Sequence, residues 1–243
     1  MIDDIWAYLT SAANWQGGDG FAVRILEHLQ YVGGALLVAF LIAFPLGLLI
    51  GHTNRGVAVA VNAVNASRSL PSLGVLTLVV LISGLGRAPV LIALTVLAIP
   101  PILNATYAGI HGVDAGAVRA ARGMGMTELQ VLGRVELPVA LPLVWSGIRS
   151  ATLQTVATAT IAAYVALGGL GRYVIDGFAV REFDEMLAGA ALVSLLAILL
   201  DLVLALATRL SVSPGLRTTR RARPRTASDK AAALDTSATS AAG

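Results

Sequence analysis

Few side chains in this 243-residue chain have the chemistry to act on a ligand. It has no cysteine, which removes thiolate nucleophiles, disulfides and thiolate metal sites together. His28, His52 and His111 lie too far apart to read as a zinc spacing, so no metal site is expected. No Gly-x-x-x-x-Gly-Lys-[Ser/Thr] run occurs, and Gly168-Gly169-Leu170-Gly171 lacks the lysine and hydroxyl of a phosphate loop. The apolar stretches contain no clustered histidines or paired carboxylates, so no catalytic residue is assigned and an enzyme is not expected. What remains is three ions inside apolar runs: Arg68, Arg149 and Asp201. A charge in lipid is costly, so each should face protein or a water-filled path. An ion pair between Asp201 and one arginine would serve either as a gate along such a path or as a fixed packing contact.

The elements that hold these ions are apolar and long. The chain is 56% hydrophobic and 13% charged, where a soluble domain carries about 25% charged residues. About 20 apolar residues of helix cross a bilayer core. Five runs qualify, at about 31–51, 57–83, 88–110, 139–167 and 186–210, with the third interrupted by Pro100-Pro101. They are too long for strands and lack period-two alternation. The fold class is therefore an all-α integral membrane protein with five spans. Counted from the span ends on one side, Arg68 and Arg149 lie about 16 Å deep and Asp201 about 14 Å deep at the helical rise. The matching depths make the pair feasible.

Arginines set the orientation. Arg55 follows the first span, Arg119, Arg122 and Arg134 follow the third, and Arg209, Arg217, Arg220, Arg221, Arg223, Arg225 and Lys230 mark the end of the fifth. All three positions follow odd-numbered spans, so they share one side, expected to be the cytoplasm, with the N-terminus outside. The start, Met1-Ile2-Asp3-Asp4, is acidic, and no signal peptide is expected. Residues 1–30 read as an extracytoplasmic segment, with Trp6, Tyr8 and Trp15 as interface anchors. Residues 31–210 form the membrane domain. Residues 211–243 read as a disordered basic tail, a solvated segment or a contact with anionic lipid. Topology explains its charge, and no nucleic-acid partner is expected. Asn62, Asn65 and Asn104 read as bonds between helices.

The segment between the third and fourth spans encodes two short helices. Asp114 has the place of an N-cap for the first, which ends at Gly123 and Gly125. Thr127 and Gln130 have the spacing of a capping box for the second. Leu129, Leu132 and Val135 give that helix an apolar stripe, and Pro138 opens the next span. Helices too short to cross a membrane need another surface: lipid headgroups, the same chain or a partner protein.

Ala120-Ala121, then Gly125, then Leu137-Pro138 resembles the coupling loop of type-1 ABC importer permeases. In that family the loop opens on Glu-Ala-Ala and its short helices sit in a groove of a separate ATPase. Arg119 stands where the family usually has glutamate. Further stretches are similar to the osmoprotectant subfamily: Arg68-Ser69-Leu70-Pro71-Ser72, Gly147-Ile148-Arg149-Ser150-Ala151, Ala159-Thr160-Ile161-Ala162-Ala163 and Gly168-Gly169-Leu170-Gly171. The resemblance implies an inner-membrane permease for glycine betaine, choline, carnitine or proline, working by alternating access. Arg119, Ala120, Ala121, Gly125, Thr127, Leu129, Leu132, Leu137 and Pro138 are its implied coupling residues. The implied partners are ABC ATPase chains that bind ATP and Mg, an extracytoplasmic substrate-binding protein, and a second permease chain, like or unlike. No cofactor is implied in this chain. A type-1 permease for methionine or another amino acid, and a passive channel, are the alternatives.

Overall fold

Inside a bilayer each backbone N–H and C=O must be satisfied within its own segment, so apolar runs of this length fold as helices. A computed structural model describes residues 2–58, 62, 71–165 and 168–212, with backbone alone for 2–5. In order, the helices are α1 (Ile2–Thr10), α2 (Phe21–Thr53), α3 (Ser72–Ser83), α4 (Arg87–His111), α5 (Ala115–Gly123), α6 (Glu128–Val131), α7 (Leu137–Ala162), α8 (Gly171–Val180) and α9 (Phe183–Ser211). Among the described residues, four helical stretches are long and apolar enough to cross a membrane: α2, α4, α9 and the stretch from Glu128 to Val165 that contains α7. The expected second span, 57–83, falls largely outside the described residues. Its described end, α3, is an apolar helix of 12 residues.

α4 is the central helix and packs on both α2 and α7. Ala35, Ala39, Ala43, Gly47 and Gly51 recur at four-residue intervals along α2 and are all buried, which places them on one face. That face meets α4 at close range: a Cβ on Gly51 would sit 2.7 Å from the Cβ of Ile110. On the other side of α4, a Cβ on Gly147 of α7 would sit 2.3 Å from the Cβ of Ala105 and 2.9 Å from the Pro101 carbonyl oxygen. Small residues let backbones approach in this way, and the contact energy is then dispersion rather than hydrophobic transfer. The buried threonines facing this core add no unsatisfied hydroxyl. Thr106 donates to the Ile102 carbonyl at 2.8 Å and Thr155 to the Ala151 carbonyl at 2.7 Å, each within its own helix.

Three elements differ from the sequence reading. α2 starts at Phe21, ten residues before the expected first span, so a boundary at 30/31 cuts through it. Arg24, Glu27 and His28 interrupt the apolar run, yet Phe21 is fully buried against Leu170, Ala188 and Leu192 and anchors the added turns. α4 runs through Pro100-Pro101 without a break in its helix; each proline removes one backbone donor, a loss tolerable where packed helices surround the site. Residues 171–180, between the fourth and fifth expected spans, form α8. Its Gly177 packs on the start of α9, where a Cβ would lie 2.8 Å from the Met186 nitrogen.

Overpacking a tight helix contact costs about 1–3 kcal/mol or more. Gly147→Leu is therefore expected to lower the melting temperature of the detergent-extracted protein sharply. Gly33→Ala, with nothing within 4 Å of the added carbon, should leave it near wild type. Equal melting of the two variants, followed by size-exclusion chromatography after heating, would contradict the packing.

Candidate functional site

The polar groups of this bundle gather at its two ends, and the richer gathering is at the end that carries α5 and α6. Asp114 opens α5 by accepting a hydrogen bond from the Ala117 backbone at 2.9 Å. The helix closes on Gly125, whose φ of 84° lies in the left-handed region. The Gly125 N–H reaches the Arg122 carbonyl at 2.9 Å and the Met126 N–H reaches the Ala121 carbonyl at 3.2 Å. That pair of bonds is a Schellman ending, and it calls for glycine at this position. Thr127 then starts α6. Its N–H donates to Gln130 Oε1 at 2.9 Å, and the Gln130 N–H donates to Thr127 Oγ1 at 3.4 Å, closing the capping box.

α6 is not a separate helix. Residues Leu132–Glu136 form a π turn, closed by the Leu137 N–H on the Leu132 carbonyl, and the chain passes straight into α7. This breaks the expected apolar stripe. Leu129 is 81% exposed, while Leu132 and Leu137 pack on Ile110, Ala140 and Val144 of α4 and α7. The extra residue in the π turn rotates the second half of the segment inward. Met124, at 76% exposure, joins Leu129 outside. Ala121 and Val131 are buried, Arg119, Ala120 and Thr127 are exposed, and Pro138 is half-buried in the first turn of α7.

Ion pairs fix α5, α6 and the end of α2 to one another. Arg122 donates to Glu128 through Nε at 3.0 Å and Nη2 at 2.9 Å, a two-point bond across the turn. The hydrogen bond to Glu128 raises the proton affinity of the Arg122 guanidinium above its ordinary value. His52, in the last turn of α2, places Nδ1 at 2.6 Å from Glu136 and Nε2 at 3.2 Å from Glu128. Glu136 is only 4% exposed. Beside this cluster lies a cavity of about 280 Å³, lined in part by Asn54, His111, Val118 and Arg119.

Deeper in the bundle, Arg149 of α7 donates to both carboxylate oxygens of Asp201 in α9, at 2.8 and 2.7 Å. Sequence reasoning allowed Asp201 either arginine; among the described residues its partner is Arg149. Arg68 and Asn65 lie outside the described residues, as do 213–243 of the tail. Asn104 is half-buried and Asn62 exposed.

The opposite end holds a cluster that sequence reasoning missed. Glu27 of α2 accepts the Gly169 N–H at 2.8 Å and an Arg24 N–H at 2.9 Å. Arg24 also pairs with Asp19, whose backbone carbonyl accepts the Tyr173 hydroxyl. Burial, with Tyr8 close by, pushes the Tyr173 hydroxyl up to about 12, so it stays a neutral donor. Trp15 donates to the Leu9 carbonyl at 2.7 Å and meets Phe21 edge-on, tying α1 down. Its sequence signals are two oppositely charged pairs at helical spacing, Arg24 with Glu27 and Arg172 with Asp176, the latter at 2.8 Å.

A bundle of long apolar helices with an exposed apolar turn at one end is the build of a multi-pass membrane protein. The chain belongs to the family of binding-protein-dependent transport system inner membrane components, which residues 43–213 match. It is 34% identical over 200 residues to the choline transport system permease protein OpuBB of Bacillus subtilis, covering 82% of this chain and 92% of that one. It is 37% identical over 181 residues to the osmoprotectant import permease protein OsmY of Salmonella typhimurium, covering 74% and 77%. Among solved structures, an inward-facing MetNI methionine ABC transporter matches with a TM-score of 0.68 at 24% identity, covering 77% of this chain and 94% of that chain. An amino acid ABC transporter matches at 0.63 and 21%, covering 78% and 92%. The fold is that of type-1 ABC importer permeases.

Removing one partner of a fully buried ion pair costs about 3–5 kcal/mol. Here the Arg149 and Asp201 side chains keep 38% and 28% of their exposure, so a clearly smaller loss is expected for Arg149→Asp or Asp201→Arg. The double reversal should recover most of that loss in thermal unfolding. A double variant as unstable as the sum of the two singles would contradict the bridge.

Proposed function

We propose that this chain is the permease subunit of a binding-protein-dependent ABC importer for a compatible solute such as glycine betaine, choline, carnitine or proline. The observation that carries this reading is the 34% identity to a choline permease over 92% of that protein's length. The osmoprotectant import permease at 37% supports the same solute class.

In this reading the α5–α6 end faces the cytoplasm and the N-terminus lies outside, in keeping with Arg55, Arg119, Arg122 and Arg134 at that end. ATP and Mg bind to a separate ATPase pair. A loaded binding protein docks on the outer face, and a second permease chain completes the path. Closure of the ATPases moves α6 and rocks the bundle outward-open; hydrolysis returns it. Such coupling needs a contact whose energy differs between the two states.

Exposed Leu129 and Met124 supply that contact. Arg119, Ala120 and Thr127 border it. Gly125 sets the angle between α5 and α6. Ala121, Leu132, Leu137 and Pro138 act from beneath, holding the turn to the bundle. Met124 was not singled out in sequence, since a lone methionine in a loop carries no spacing signal.

Two measurements test this. Reconstituted in liposomes with its ATPase and binding protein, the chain should give ATP-dependent uptake of choline or glycine betaine; uptake of methionine alone, or flux without ATP, would refute the reading. Gly125→Val forces a β-branched residue into the left-handed region at a cost of about 1–2 kcal/mol. It should insert normally but lose substrate-stimulated ATP hydrolysis. Full stimulation in that variant would remove the turn from the coupling path.

A further inference from the structure

Besides the buried Val131 and the Arg122 bond to α5, two junctions tie helix α6 to the long helices. One junction is the covalent passage through the π turn into α7. The other is His52, which stands on α2 and is remote in sequence from both of its carboxylate partners. We propose that His52 is a positioning residue for energy transfer: its imidazole bridges Glu128 of α6 and Glu136 of the π turn, so that the docking turn moves α2 and α7 together. This rests on the docking role of α6 proposed above.

The geometry makes the bridge specific. Glu128 and Glu136 stand eight residues apart. On an uninterrupted α-helix that separation advances about 800°, leaving the second carboxylate about 80° round from the first. The π turn takes in an extra residue and brings Glu136 back toward the face of Glu128. Both carboxylates then reach one ring, one on each nitrogen. Arg122 completes the cluster from α5 through its two-point bond to Glu128.

His52 is also held from behind. Its neighbour Gly51 lies so close to α4 that a Cβ would meet the Ile110 Cβ at 2.7 Å, and Ile110 packs on Ala140 and Val144 of α7. The imidazole therefore projects from a fixed point on the bundle. Without it, α6 loses its tie to α2 and keeps only the Arg122 bond to α5, the buried Val131 and the π turn, whose widened backbone offers a place for rotation. A push on α6 would then be absorbed at that turn rather than passed to α2. Glu136, buried at 4% exposure, would also lose its hydrogen-bond partner.

The test uses the full importer, with its ATPase and binding protein, in liposomes, and reads uptake of radiolabelled choline per ATP hydrolysed. Coupling free energies of this kind correspond to about 5- to 150-fold effects. His52→Ala is expected to keep the ATPase bound on co-purification while lowering uptake per ATP at least about fivefold. His52→Lys, which keeps a flexible donor, should restore most of it, a rescue that a general packing defect would not show. Glu128→Gln, at an exposed position, should loosen coupling in the same direction and add little to His52→Ala. Leu129→Glu separates the two claims, because it should release the ATPase altogether. If Leu129→Glu releases the ATPase but His52→Ala keeps the wild-type ratio, the bridge is refuted and docking stands. If Leu129→Glu leaves the ATPase bound, docking at α6 is refuted, and the bridge with it.

Discussion

Between α2, α4 and α7 each of the closest approaches has a glycine on one side. Gly51 meets Ile110 and Gly147 meets Ala105 at distances that leave no room for a methyl group. Three helices packed backbone to backbone have few ways to slide independently, because close-packed interiors deform in discrete steps. The proposed docking role of the α5–α6 turn depends on this rigidity. α6 runs into α7, α7 lies on α4, and α4 lies on α2. In the proposed coupling role, a displacement at Leu129 would reach this slab through α7 and, by way of His52, through α2.

The two ends of the slab are built differently. At the α5–α6 end, polar side chains link three segments through charge, with Arg122, His52, Glu128 and Glu136 in contact. Exposed apolar Leu129 and Met124 sit just outside that cluster. A surface that combines a rigid ionic frame with a small apolar knob suits a partner that must push and be pushed. At the other end, Phe21 collects Tyr8, Trp15 and Tyr173 around itself. Glu27 there bonds the backbone at Gly169, at the approach to α8. α9 shows the apolar Leu195, Leu199, Leu202 and Leu206 outward. That composition suits contact with lipid or with a second permease chain.

Much of this was legible in the sequence, for local reasons. Span positions followed from hydropathy, and both loop caps followed from Asp114, Thr127 and Gln130, whose bonds reach only three residues. The Arg149–Asp201 bridge was accessible because helical rise converts sequence position into depth. The early start of α2 was hidden because Arg24, Glu27 and His28 lower local hydropathy, and only tertiary contact with Gly169 explains them. The Leu129–Leu132–Val135 stripe was misread because a π turn changes the period, and no residue type announces such a turn. The His52–Glu136 contact spans 84 positions; its one sequence trace was an acid just before Leu137-Pro138, in a stretch too well packed to leave it in water. Arg119 is exposed where the family usually has glutamate, so its reversed charge is available to a partner surface.

Docking of α6 on the ATPase can be read from cross-linking, since the chain has no cysteine and any introduced thiol is unique. Leu129→Cys, carrying a short photoactivatable cross-linker in the assembled importer, should join to the ATPase chain. Leu199→Cys, on the outward face of α9, should not. ATPase adducts from position 129 alone are the expected result. No adduct from 129, or equal adducts from both positions, would contradict docking.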